Sequence, residues 1–106
     1  MYDEYEYVIN KDINLCFLSG TIISEPDFKF FYNSRKLISK AEFAIKTEQG
    51  FLDSKKEKSI QLKIVGYNEM ADYIYKSMKI NKKVIIKGFL EKGKVVADRI
   101  WESNFC

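Results

Sequence analysis

Residues 13–23 (INLCFLSGTII) form an eleven-residue run dense in Leu, Ile, Phe and Thr, interrupted only by Gly20. A strand of that length is about twice the usual one. Pro26, the only proline, ends the strand because it has no N–H to give a sheet ladder. A glycine inside a strand pattern marks a bulge or a sharp bend. A long first strand bent at Gly20 can pair in two directions, as a small closed barrel requires. The remaining segments must then supply the partners.

Residues 28–32 (FKFFY) are aromatic and read as the loop after the first strand, followed by a turn over 33–36 (NSRK). Over 37–47, Leu37, Ala41, Phe43 and Ile45 share one face while Lys40, Glu42 and Lys46 share the other, which is the period of a half-buried strand. Residues 48–58 are polar, contain a glycine and read as a long hairpin loop. Alternation resumes over 59–66, with Ile60, Leu62 and Ile64 inward and Gln61 and Lys63 outward. The period then changes. Met70, Ala71, Ile74, Tyr75 and Met78 recur at helical spacing, predicting a helix from about Glu69 to Met78 with Asn68 as its N-cap and Asn81 as a left-handed exit. Residues 83–91 set Val84, Ile86, Gly88 and Leu90 against Ile85, Lys87 and Phe89, and Lys92-Gly93 turns tightly into the last strand, 94–101. Five strands, the first long and bent, with one helix between the third and fourth, predict an all-β, five-stranded OB-fold barrel. A split α+β sandwich is the competing fold.

At 106 residues the chain suits one domain with its own core. Residues 1–12 (MYDEYEYVINKD) read as a flexible acidic leader with four acids and one lysine, and residues 13–106 as the OB-fold domain. That leaves seventeen bases against eleven acids, a balance of +6, in the domain itself. Such a basic body fits a polyanion partner, although a lysine-rich solvated surface has the same composition. Two cysteines, Cys16 and Cys106, form no CxxC and read as free thiols of a reducing cytoplasm. No signal-peptide pattern opens the chain and no apolar run has the length of a membrane helix. The expected location is cytoplasmic, associated with the nucleoid.

Catalysis finds little support. Histidine is absent, which removes the commonest general base and a frequent zinc ligand. There is no glycine-rich phosphate loop, no GxSxG and no acid cluster spaced for a metal, so neither metal nor cofactor is expected. Asp98, an acid among apolar neighbours, suits a hydrogen-bonding role at a barrel end better than a catalytic one.

Binding finds more. Phe28, Lys29, Phe30, Phe31 and Tyr32 with Arg35 and Lys36 interleave rings and cations, and Phe51 with Lys55, Lys56 and Lys58 does so again. Single-stranded bases stack on aromatic rings while lysines follow the phosphates. Outward Lys40, Lys46, Gln61 and Lys63 extend the same surface over strands two and three, the face that OB-folds use. At least one of Phe28, Phe30 and Phe31 is expected in the core, and Tyr32 has the alternative of plugging the barrel mouth.

Several stretches resemble the bacterial single-stranded DNA-binding protein family. Leu18-Ser19-Gly20-Thr21-Ile22-Ile23-Ser24-Glu25-Pro26 resembles its opening glycine-to-proline pattern, with Asp27-Phe28-Lys29-Phe30 after it. Ala41-Glu42-Phe43-Ala44-Ile45 resembles its second strand, and Ile64-Val65-Gly66-Tyr67 its aromatic-glycine-lysine before the helix. Residues 84–90 (VIIKGFL) and 95–98 (VVAD) resemble its last two strands. The resemblance implies sequence-independent binding of single-stranded DNA in replication, repair or recombination, and a homo-oligomer, dimer or tetramer. It gives Phe51 the place of a stacking tryptophan. Ser59 and Val65 stand where the family has aromatics, Lys92-Gly93 replaces its long wrapping arm, and its acidic tail has no counterpart. In these losses the chain resembles primosomal replication protein N, a short relative. A second reading is an OB-fold protein-interaction or oligomerisation module with weak or no DNA binding. RNA is not separated from DNA, since nothing in the sequence identifies a contact to a 2′-hydroxyl.

Overall fold

The structure, a computed structural model, describes residues 12–49 and 58–103. Six strands and one helix follow in order: β1 (Cys16–Ile22), β2 (Asp27–Asn33), β3 (Lys36–Gln49), β4 (Lys58–Tyr67), α1 (Glu69–Ser77), β5 (Lys83–Glu91) and β6 (Lys94–Glu102). The sheet runs β1-β5-β6-β4-β3-β2, and an additional β1–β3 pairing closes it. Five strands therefore make a closed barrel, the OB-fold, while β2 hangs outside it on β3. All ladders are antiparallel except β4–β6, where Ile64 and Val65 run parallel to Val95 and Val96.

The seam lies at Gly20. Cys16 to Thr21 pair with β5, whereas Thr21 and Ile22 also face Lys46 and Ile45 of β3. A β-carbon on Gly20 would stand 2.8 Å from the Lys46 carbonyl oxygen, so only glycine allows the two strands to cross this closely. The Thr47 hydroxyl donates to the Ser19 carbonyl at 2.9 Å and the Ala44 N–H donates to the Ser24 hydroxyl at 2.8 Å, which fastens the crossing. A second close approach is at Gly88, where a β-carbon would meet the Val96 carbonyl oxygen at 2.0 Å. There the β5–β6 register slips, leaving Asp98 as the extra residue of a bulge. Asp98 is thus an exposed bulge residue, 3.8 Å from the Lys87 ammonium, not a barrel-end group.

Three expectations need correction. β1 is seven residues, not eleven; Ile13 and Leu15 precede it and are exposed. In place of further strand, the Asn14 side chain donates to the Leu90 carbonyl and accepts from the Leu90 N–H, both at 2.8 Å. The long strand is β3, fourteen residues, which pairs with β2 through its first half and with β1 near its end. Residues 28–32 are not a loop but strand β2, joined to β3 by a tight turn in which Ser34 and Arg35 both take positive φ, the type I′ pattern. Lys92 and Gly93 repeat it between β5 and β6. Finally, Asn68 holds the N-cap position but its side chain makes no capping hydrogen bond, whereas Asn81 takes the expected positive φ, in the turn closed by the Lys82 N–H donating to the Lys79 carbonyl.

The core is apolar throughout. Ile22, Phe43, Ile45, Ile64, Ala71, Ile74, Met78, Val84, Ile86 and Ile100 fill the barrel and the seat of α1. Phe28 and Cys16 pack against its edge. Leu37, Ile60 and Leu90, inward by alternation, are exposed, because β3, β4 and β5 project past the closed part of the barrel.

Candidate nucleic-acid interface

Because side chains alternate along each strand, the β2–β3 hairpin divides the candidate aromatics between two faces. Phe28, Phe30 and Tyr32 point to the helix side. Phe28 lies 5.1 Å from the Phe30 ring and 5.2 Å from Tyr75 of α1. Phe28 is the ring that joins the core; Tyr32, 76% exposed, plugs nothing. Lys29 and Phe31 point to the opposite face, together with the outward residues of β3 and β4.

That second face brings together most of the cationic candidates. Lys29 is opposite Lys40, and Lys40 opposite Tyr67. Phe31, 38% exposed, meets Tyr67 edge to face with centroids 6.5 Å apart. Farther along, Glu42 faces Val65, Ala44 faces Lys63 and Lys46 faces Gln61. Arg35 occupies the hairpin tip, with Lys36 just after it. Phe51, Lys55 and Lys56 lie outside the described residues. Two residues absent from the expected set also belong here: Tyr67, the last residue of β4, and Lys94, the first of β6. The first could have been suspected from its place beside Gly66. The second depends on the parallel β4–β6 pairing, which no local pattern reveals.

Glu42 sits among the lysines. Its carboxylate lies 2.7 Å from the Lys40 ammonium, 3.5 Å from Lys63 and 3.9 Å from Lys94. Its hydrogen bond with Lys40 holds the carboxyl below the usual glutamate range, against the opposing effect of partial burial. The same bond raises Lys40, while desolvation and the nearby Lys40 charge push Lys94 down. These side chains are crowded: Lys40, Glu42 and Lys94 are only 22, 18 and 23% exposed. Val65, flanked in register by Glu42 and Val96 on this outer face, is shut from solvent altogether. The position where the resembled family has an aromatic is therefore a buried valine, and the accessible aromatic lies two residues on, at Tyr67.

In OB-folds the ligand face is made by barrel strands two and three with the loops after strand one and before strand five. Here those strands are β3 and β4. The first loop is expanded into β2 and supplies Phe31 and Lys29; the second is the Lys92-Gly93 turn, leading into Lys94. A different stretch of barrel wall carries the other apolar surface. Phe17 of β1 and Trp101 of β6 lie 5.8 Å apart with the Arg99 guanidinium 5.7 Å from the Trp101 ring, and Ile85 and Phe89 lie on the same side.

The fold is shared with the SSB domain of a protein from Synechococcus sp., at a TM-score of 0.68 and 21% identity, over 85% of this chain and 96% of that one. No protein-family model matches the sequence, and no curated protein does. Among the described residues, no group of acids and cysteines is placed to hold a metal ion, and no helix is long and apolar enough to cross a membrane.

Proposed function

We propose that the chain binds single-stranded DNA without regard to sequence, through the outer face of β2, β3, β4 and the start of β6. One observation carries the reading. The Phe31–Tyr67 ring pair lies beside Lys29 and Lys40 and shares one outer face with Lys63 and Lys94, the face on which OB-folds take oligonucleotides. The SSB domain with the same fold supports it. Bases stack on Phe31 and Tyr67, and on Phe51, which stands at the resembled family's tryptophan position. Lysines, with Arg35 and Lys36 at the hairpin tip, hold phosphates. Phe30 and Tyr32 lie on the other side of the hairpin and join only if the strand wraps its edge. The protein acts in cytoplasmic DNA replication, repair or recombination as a binding protein, not an enzyme. It is of the single-stranded DNA-binding type, akin to primosomal replication protein N. With Ser59 and Val65 in place of rings and the Lys92-Gly93 turn in place of a wrapping arm, binding is weaker and more salt-sensitive than that of a relative that has them.

Fluorescence titration at low salt should show preference for oligo-dT over duplex DNA of equal length. Equal affinity for the two, or none for either, sinks the reading. A dT/rU competition then decides between DNA and RNA.

The Phe17, Ile85, Phe89 and Trp101 surface favours a second reading, self-association or docking of another protein on the β1–β5–β6 wall. The two are separable, because DNA binding falls steeply with salt and an apolar interface does not.

A further inference from the structure

We infer that Glu42 is an electrostatic brake on this face: it occupies Lys40, Lys63 and Lys94 in the free protein and gives them up when a phosphodiester chain arrives. The inference rests on the single-stranded DNA reading and adds a determinant of its affinity. Three lysines from three strands converge on one carboxylate, at 2.7, 3.5 and 3.9 Å. A carboxylate at the centre of three ammonium groups stands where a phosphate oxygen would otherwise be held. Each lysine that turns to a phosphate must leave it. The other pairs on this face differ in kind. Lys29 with Asp27 at 3.7 Å and Lys46 with Glu48 at 3.9 Å are single contacts of exposed groups, which solvent already screens. Asp27 lies opposite Glu42 in register, and Glu25, Asp27 and Glu42 border a groove of about 170 Å³ beside Lys63. The groove repels a polyanion, so the phosphates keep to the lysine side of Glu42. Of the three acids, only Glu42 reaches several lysines.

Structure and function pull this residue in opposite directions. As a structural group it relieves repulsion among three cations. As a neighbour of the DNA it repels the ligand and detains its partners. Neutralising it should therefore lower stability and raise affinity together, a combination that a purely structural residue does not give.

The test compares Glu42→Gln, and the strand-compatible Glu42→Thr, with Glu48→Gln, which removes the same charge from a single exposed pair. Circular dichroism confirms the fold, and oligo-dT binding is titrated across salt concentrations. At low salt E42Q should bind roughly fivefold tighter than wild type, about the factor that one unit charge at 4 Å is worth in water. Its log-affinity against log-salt slope should steepen, and its melting temperature should fall. E48Q should gain at most half as much. Equal gains in E42Q and E48Q would reduce the effect to net charge and overturn the inference, as would unchanged or weaker binding by E42Q. If neither wild type nor E42Q binds oligo-dT, the DNA reading fails along with it. Binding by wild type without a gain in E42Q overturns the brake alone.

Discussion

Gly88 stands so close to β6 that any side chain on it must displace backbone, since the atom it would strike is the Val96 carbonyl oxygen. Gly88→Ala should cost about 3 kcal/mol or more in denaturant unfolding, at the upper end of what overpacking costs. Arg35 makes the opposite case. It holds positive φ in the second central position of a type I′ turn, where an L side chain costs roughly 1 kcal/mol and glycine nothing. Arg35→Gly should therefore raise stability by about that amount and weaken oligo-dT binding several-fold. A stabilised variant with unchanged binding would remove Arg35 from the interface. Glu42 links stability to pH. Its carboxyl is held below the ordinary 4.5, so the stabilisation is complete above that value and is lost as pH falls below it and protonates the folded state. The melting-temperature gap between wild type and E42Q, open at neutral pH, should narrow below about pH 4. A constant gap would mean that Lys40, Lys63 and Lys94 do not stabilise the charged form.

The element that most shapes the site is β2, and it was the hardest to see in the sequence. An edge strand outside the barrel has solvent on much of both faces, so FKFFY lacks the apolar–polar alternation that identified β3 and β4. Its turn was legible, since Asn33-Ser34-Arg35-Lys36 has turn composition; the strand before it was not. Alternation also gives the side of a residue and not its depth. Leu37, Ile60 and Leu90 alternate in step with the inward residues of their strands, yet they are exposed where the strands outrun the barrel. Lys40 and Lys63 could be placed on one face from sequence because each alternates within a single strand. Tyr67 and Lys94 join them only through pairings between distant strands. The division of the hairpin between two faces gives a paired prediction. Phe31→Ala should weaken oligo-dT binding by roughly 1–3 kcal/mol with little change in melting temperature. Phe28→Ala, which strips a ring from the core edge and from Tyr75, should lower the melting temperature first. Reversed outcomes would move the interface to the helix side of β2.

Around the closed wall, the two surfaces of interest occupy different arcs. The order β1-β5-β6-β4-β3 puts the Phe17–Trp101 patch on the first strands of that ring and the lysine–aromatic face on the last. A second copy seated on β1, β5 and the Trp101 end of β6 would leave β3, β4 and Lys94 at the start of β6 open, so self-association and DNA binding are compatible. Two faces in a back-to-back dimer would also share one strand and raise its avidity, provided the strand is long enough to span both. The wild-type protein should then scatter light as a dimer or larger at micromolar concentration, and Trp101→Lys should make it monomeric by setting an unpaired charge in the middle of the patch. High salt separates the two surfaces: it should release oligo-dT from wild type while leaving the assembly intact. For the monomeric variant, affinity for a short oligo-dT that fills one face should be unchanged, and affinity for a long one should fall toward the short-strand value. If W101K lost short-strand binding as well, while still folded, the patch would belong to the DNA surface and the two arcs would act as one.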